Sequence, residues 1–310
     1  MHKTRYNCLS LTLHLSPRKP LLVKAGGISA DPALPDMQFV RTYQPQKGET
    51  VYIPGASLKG VVRGFVEKVL RTVDDRTSWR WACATFEAKE EEKRDKTKWN
   101  CPQILAKKTK DMDRELQSWE VYATSCGACR IFGHTRLRGR VAFADMFPVD
   151  EVNTEVRYGV AISRLSHAVA SGGPFEMEVA VAGTFVGRLV LENFELWQLG
   201  LLALALESLN QGLLKVGYGK NRGLGEVAVN VQEAWLDEAA AGAKPTVWRG
   251  LAAFVPREAA EYGLAEPADL DGMPKPVHKP EAIGLYLRRV YDAERWAQAA
   301  RQAVKALSTT

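Results

Sequence analysis

The fold is decided between residues 53 and 70, which read IPGASLKGVVRGFVEKVL. Apolar residues recur in this stretch at the i, i+3, i+4, i+7 spacing of a helix that buries one face. A Pro-Gly turn precedes Ser57, and serine at such a position is a common helix N-cap. We therefore predict an amphipathic helix that begins at Ser57.

Predicted strands lie on both sides of this helix. Residues 9–15 (LSLTLHL) alternate between apolar and polar side chains, which indicates a half-buried strand. Further strands are predicted at 140–147, 175–181, 184–191 and 225–231, and a Leu-rich helix at 196–209. This order predicts an α+β protein with a ferredoxin-like (RRM-like) core and helices on one face of the sheet.

Large insertions interrupt the predicted core. The core is expected within residues 1–232, with insertions at 21–52, 78–138 and 157–174. The last insertion contains Ser171-Gly-Gly-Pro174, which suggests a hairpin-like projection. Residues 233–310 are expected to form a C-terminal extension with a closing helix near 283–307.

The composition is that of a folded protein. Of the 310 residues, 46% are hydrophobic and 25% charged, and the net charge is +6. No stretch approaches the ~18 uninterrupted apolar residues of a membrane helix, and no signal peptide is evident. We expect a soluble, cytoplasmic protein with no membrane partner.

The cysteines indicate a metal site. The chain has five of them, at positions 8, 83, 101, 126 and 129, an odd number that disfavours a disulfide framework. Cys126-Gly-Ala-Cys129 has the spacing that presents two thiolates to a tetrahedral Zn²⁺. We predict a structural zinc bound by Cys101, Cys126 and Cys129, with Cys83 or His134 as the fourth ligand. The alternative is a redox-active Cys126–Cys129 pair, with Cys83 and Cys101 as ordinary buried thiols.

Basic residues occur in three segments that also carry glycines, whereas signatures such as HExxH and GxSxG are absent. Lys59 and Arg63 lie in the predicted helix, close to the free N–H groups expected at its Ser57 end. The other two segments hold Arg157, Arg164 and His167, and Lys215, Lys220, Asn221 and Arg222. Taken alone, the last segment could equally be a glycine-rich turn with surface charges. Three such segments on one frame favour an extended RNA backbone over a small phosphorylated ligand.

Three motifs resemble those of the RAMP (repeat-associated mysterious protein) superfamily of CRISPR-Cas effector subunits. Residues 53–63 resemble its IPGSSLKG…R signature, and residues 126–145 resemble its CxxCxLFG…GRVxFxD block. Residues 217–227 resemble its C-terminal glycine-rich loop. Within the superfamily the chain resembles the Cas-seven group, and residues 20–42 look most like the type IV version, with type III versions as near relatives.

This resemblance implies a backbone subunit of an antiviral CRISPR effector complex. Such a subunit would bind CRISPR RNA independently of sequence, oligomerise along it as a helical filament, and present it to target DNA or RNA. Its partners would be copies of itself and other effector subunits, and the projection at 157–174 would be a thumb that interrupts the guide–target duplex. The residues expected to contact RNA are Lys24, Ser57, Lys59, Arg63, Arg157, Arg164, His167, Lys215, Lys220, Asn221 and Arg222.

We interpret the subunit as non-catalytic, with two enzymatic alternatives. The first is a type III-like endoribonuclease that cleaves target RNA with Asp36, the position that best matches the catalytic aspartate of those relatives. The second is a guide-processing endonuclease with His14 or His167 as general acid–base.

Overall fold

A central antiparallel sheet organises the protein. The computed structural model describes residues 4–26, 34–45, 47–92, 94–170 and 174–308. The strands in these ranges are β1 (Asn7–Pro17), β2 (Arg41–Gln44), β3 (Gly48–Val51), β4 (Val141–Phe143), β5 (Phe147–Pro148), β6 (Asn153–Gly159), β7 (Phe175–Ala182), β8 (Phe185–Glu192), β9 (Val227–Ala239), β10 (Trp248–Arg249), β11 (Asp269–Leu270), β12 (Glu281–Ile283) and β13 (Tyr286–Asp292). The α-helices are α1 (Gly55–Val73), α2 (Cys101–Met112), α3 (Ser118–Thr124), α4 (Gly127–Phe132), α5 (Leu196–Asn210), α6 (Ala259–Tyr262) and α7 (Ala293–Ala306). Short 3-10 helices lie at Glu90–Glu92, Lys96–Lys98 and Leu251–Ala253.

The order of the strands is ferredoxin-like. The sheet runs β12-β13-β9-β1-β8-β4, and β5 also pairs with β8. Four consecutive strands of the sheet, β9-β1-β8-β4, have α1 between β1 and β4 in the chain and α5 between β8 and β9. This is the βαββαβ arrangement of a ferredoxin-like domain, so the predicted fold class is confirmed.

Apolar and polar side chains alternate along β1, so one face of the sheet is buried in the core and the other is partly exposed. Its leucines at positions 9, 11, 13 and 15 are almost fully buried, whereas Ser10, Thr12 and His14 are partly exposed. The buried leucines share one core with the apolar face of α1 and with α5. Helix α5 carries apolar side chains on all sides. Those on its outer side are also buried, because α7 packs against it. None of the helices in the described ranges is long and apolar enough to cross a membrane.

The C-terminal region adds to the same sheet. Position 232 lies inside β9, and β13 pairs with β9 from Tyr286 to Asp292. The prediction of a helix from about residue 283 is therefore wrong over β13. This segment pairs with the edge of β9 that β1 leaves free, and it forms a strand there. The helix begins only at Ala293, where the Asp292 side chain accepts a hydrogen bond from the Arg295 N–H at 2.9 Å.

The predicted insertions contain helices and a hairpin of their own. The insertion at 78–138 contains α2, α3 and α4, and β6 and β7 form a separate hairpin at the predicted projection. Residues 171–173 of that projection, and residues 27–33 of the first insertion, lie outside the described ranges. The first insertion is tied to the hairpin, since Leu21 pairs with Ala180 and Arg41 forms an ion pair with Glu178 at 2.5 Å.

Candidate nucleic-acid interface and metal centre

An open groove brings together three segments that are far apart in the sequence. It encloses about 410 Å³ between the chain after β1, the first turns of α1 and the loop after α5. The lining residues are Val23, Lys24, Ser57, Gly60, Val61, Gly217, Tyr218 and Lys220. Three of them, Lys24, Ser57 and Lys220, are predicted RNA contacts.

The glycine-rich loop is held against the chain that follows β1. The Tyr218 N–H donates to the Leu22 carbonyl oxygen at 2.7 Å, and the Gly225 N–H donates to the Pro20 carbonyl oxygen at 2.8 Å. Gly217 has φ +80°, and an added Cβ would lie 2.2 Å from the Leu22 carbonyl oxygen. The loop therefore has a fixed base, and its tip carries the exposed Asn221 and Arg222.

The groove is positively charged. No carboxylate is among its lining residues, and neither Lys24 nor Lys220 has an acidic partner among the described residues. Burial and the positive charge of Lys68 lower the pKa of Lys220. An anion bound here would neutralise cations that the fold leaves uncompensated.

The start of α1 differs from the prediction. The helix begins at Gly55 with Pro54 as its N-cap, so Ser57 is not the N-cap residue. The Gly55 N–H donates to Asp145 Oδ1 at 2.8 Å, and the Ser57 N–H donates to the Pro54 carbonyl oxygen at 2.9 Å. These groups are thus not free to bind a phosphate, and an acidic side chain already complements the helix dipole.

Lys59 and Arg63 lie on α1 but do not line the groove. Burial and the nearby Arg63 lower the pKa of Lys59. Arg63 donates to Glu67 at 2.8 Å and to the Gly133 carbonyl oxygen at 3.2 Å, on the side of the helix that faces the cysteines. Lys215, at the start of the glycine-rich segment, is partly buried and also outside the groove lining.

The β6–β7 hairpin carries the remaining predicted contacts. Arg157 lies on β6 and pairs with Glu155 at 3.5 Å, an exposed and therefore weak ion pair. Arg164 and His167 are exposed in the turn that closes the hairpin, where Leu165 is 97% exposed. None of these residues lines the groove, so the hairpin is a second surface.

The two enzymatic alternatives rest on Asp36, His14 and His167. Asp36 is exposed, and its Oδ2 accepts a hydrogen bond from the Glu176 N–H at the start of β7, at 2.9 Å. His14 lies in the middle of β1, opposite Val186 of β8. Among the described residues, four cysteines form the one group of three or more His, Cys, Asp or Glu side chains placed to hold a metal.

These cysteines are Cys83, Cys101, Cys126 and Cys129, and their sulfur atoms all lie within 4.8 Å of one another. Cys126 is the N-cap of α4 and accepts from the Cys129 N–H at 3.4 Å, while Cys101 accepts from the Cys126 N–H at 3.3 Å. Four buried sulfur ligands with N–H···S hydrogen bonds fit a tetrahedral thiolate site. Hydrogen bonding with Cys101 lowers the pKa of the Cys83 thiol.

Cys83, and not His134, completes the set. The His134 ring lies within hydrogen-bond distance of Ser125 Oγ through Nε2, at 3.0 Å. Its Nδ1 accepts from the Arg136 N–H at 3.2 Å, so both ring nitrogens have partners outside the cluster. None of these four cysteines forms a disulfide, and the convergence of all four sulfur atoms is compatible with a metal site, whereas a redox pair would need only two of them.

Tyr218 and Gly60 are groove residues that the sequence interpretation missed. Tyr218 lines the groove, and the Arg222 guanidinium lies 5.9 Å from the centroid of its ring. The signal was the aromatic residue inside Gly217-Tyr-Gly-Lys220, since RNA-binding loops often pair basic residues with a stacking surface.

The fold and the site together define a class: a ferredoxin-like protein with a basic groove and a cluster of four cysteines that could hold a metal ion. The family model of the RAMP superfamily matches residues 18–228, about two thirds of the 310-residue chain. The chain therefore belongs to the RAMP superfamily, whose members are CRISPR-associated RNA-binding subunits and include both non-catalytic proteins and nucleases. No curated protein matches the sequence significantly.

Proposed function

We propose that the chain is a non-catalytic backbone subunit of a CRISPR effector complex, of the Cas-seven type and nearest to the type IV version. It binds guide RNA through the groove, oligomerises along the RNA and presents the bases to a target strand. The observation that carries this proposal is the groove itself, where Lys24 and Lys220 lack acidic partners among the described residues and line the same groove as Tyr218. Cations beside an aromatic ring suit a single-stranded polyanion without selecting its sequence.

The test is RNA binding by the double variant Lys24→Met/Lys220→Met. Each lost phosphate contact on a single strand should reduce the slope of log affinity against log salt by about 0.7, so the double variant should lose about 1.4. Affinity for unrelated RNA sequences should fall equally, because the groove contacts the backbone. The measurement is a salt titration of binding to two single-stranded RNAs of different sequence.

The matched control is Lys275→Met/Lys279→Met. These two lysines are exposed and lie outside the groove, and their substitution removes the same charge as the groove variant does. If the control reduces the salt slope as much as the groove variant does, net charge explains the binding and the groove assignment fails.

We propose that the metal is zinc with a structural role. Four protein ligands leave no open position for a substrate, so the ion would crosslink the 78–138 insertion, which supplies all four ligands. Purified protein should contain about one zinc per chain, and a chelator should lower the melting temperature. Cys129→Ala should lose the metal, whereas Cys8→Ala, at the cysteine outside the cluster, should retain it. Folded, zinc-free wild-type protein would contradict this assignment.

Target cleavage through Asp36 is tested by two variants. Its carboxylate already accepts a backbone hydrogen bond at the start of β7. Asp36→Asn keeps an acceptor there and Asp36→Ala does not, so a structural role predicts that only the alanine variant changes stability. Cleavage of complementary RNA by the wild type that both variants abolish would establish the endoribonuclease instead.

A further inference from the structure

Arg63, one of the predicted RNA contacts, points at the metal site. Its Nη2 lies 3.8 Å from Cys129 Sγ, within the range of a hydrogen bond to sulfur. Its Nη1 donates at 3.2 Å to the carbonyl oxygen of Gly133, the residue that ends α4. One guanidinium thus contacts both a ligand atom and the helix that supplies two of the four ligands.

A buried carboxylate holds Arg63 in this place. Glu67 is 6% exposed, accepts from Arg63 Nε at 2.8 Å, and accepts from Arg71 at 3.1 Å. Arg71 in turn donates to the Cys83 carbonyl oxygen at 2.9 Å. The three side chains lie four residues apart on α1, so this face of the helix contacts the cluster at both Cys83 and Cys129.

A divalent cation with four thiolates carries a net charge of −2 in a buried place. Donors to the sulfur atoms reduce the cost of that charge, and a charged donor reduces it most. Backbone N–H groups supply two such donors, to Cys101 and Cys126. Within the described residues, Arg63 is the cationic side chain that donates to a sulfur of the cluster.

We propose that Arg63 is a positioning residue of the metal centre, which offsets the thiolate charge and ties α1 to it, and that it is not a contact to RNA. The metal thereby fixes the orientation of α1, whose first turns line the groove with Ser57 and Gly60. The second half of this inference rests on the proposed RNA binding, whereas the first half does not.

The test compares Arg63→Met and Arg63→Lys with Lys220→Met, which lies in the groove and does not contact the cluster. Competition between full-length protein and a chelator for Zn²⁺ should show about 10- to 100-fold weaker metal binding in Arg63→Met. Arg63→Lys, which keeps the charge but loses the fork of donors, should fall between it and wild type. Lys220→Met should bind metal as wild type does. The absorption of Co²⁺-loaded protein reports directly on the thiolate environment and should change only in the Arg63 variants.

RNA binding is then measured with and without saturating Zn²⁺. Arg63→Met should bind a single-stranded RNA weakly without added zinc and recover when the site is filled, whereas Lys220→Met should not recover. Unchanged zinc affinity and an unchanged Co²⁺ spectrum in both Arg63 variants would overturn the proposal, and so would a zinc-loaded, folded Arg63→Met that remains defective in RNA binding. If wild type binds no RNA, the proposed function fails, and the zinc and Co²⁺ measurements alone decide the role of Arg63.

Discussion

Gly55 and Asp145 belong to two separate sequence motifs, and a hydrogen bond joins them at the start of α1. A Cβ on Gly55 would lie 2.1 Å from the Phe143 carbonyl oxygen, so only glycine fits where α1 meets β4. Asp145 then caps the helix through the Gly55 N–H. Both residues therefore serve the packing of α1 on the sheet, and the charge that would attract RNA comes from lysines elsewhere in the groove.

Tyr218 is expected to contribute directly to RNA binding. Tyr218 lines the groove together with Lys220, so we expect its ring to stack on a base. Tyr218→Ala should weaken RNA binding by about 1–3 kcal/mol, and Tyr218→Phe should retain most of the affinity, because stacking requires the ring and not the hydroxyl. Binding of a fluorescent single-stranded RNA checks both variants. Equal losses in the two variants would show that the hydroxyl, and not stacking, makes the contact.

Two glycines inside α1 make the helix less stable than alanines at the same positions would. Gly60 and Gly64 both lie inside the helix, and an added Cβ at either position would have no atom within 4 Å. A glycine inside a helix costs about 1 kcal/mol relative to alanine, and packing gives no reason for that cost here. Gly60 lines the groove and Gly64 does not, so only Gly60 offers close backbone approach to a groove ligand.

This difference gives a matched pair of variants on one element. Gly60→Ala and Gly64→Ala should each stabilise the folded protein by about 0.5–1 kcal/mol, measured by denaturant unfolding. Gly60→Ala alone should weaken RNA binding, because its methyl group would stand where the RNA backbone passes. Unchanged RNA affinity in Gly60→Ala would place the RNA path away from α1.

Across the whole molecule, the C-terminal region packs against the four-cysteine insertion at 78–138 and against the start of α5. Arg130 of α4 donates to the Gly263 carbonyl oxygen at 2.9 Å, and the Ala265 N–H donates to Glu195 at 2.7 Å. The rings of Tyr122 and Tyr262 pack edge to face across the same junction. Residues beyond 232 thus contribute β12 and β13 to the sheet and also pack against the insertion.

We expect several copies of the protein to assemble on one RNA. The β6–β7 hairpin exposes apolar side chains to solvent, including Leu165 at 97% and Ile162 at 60%. Their burial against a neighbouring subunit or a guide–target duplex would favour assembly. Native mass spectrometry with RNAs of increasing length should show protein copies added in steps, and Leu165→Asp should reduce the number of copies without affecting the binding of the first. A single copy on every RNA length would contradict the backbone role.

By itself, the sequence determined the elements whose signals are local. The alternation of residues 9–15, the helical spacing after Ile53 and the Leu-rich segment at 196–209 match β1, α1 and α5, because each of them buries its own apolar face. The spacing and chemistry of the cysteines also indicated a metal site, since a pair of cysteines with two residues between them is a local property of the sequence.

Only the tertiary structure decided what depends on contacts between distant segments. It placed Cys83 in the cluster because His134 has other partners, it turned residues 286–292 into a strand along β9, and it directed Arg63 toward sulfur. It also brought Lys24 and Lys220 to one groove, although 196 positions separate them in the sequence. Local periodicity in the sequence does not indicate which distant surfaces come into contact, because those contacts follow from the packing of the whole sheet and its helices.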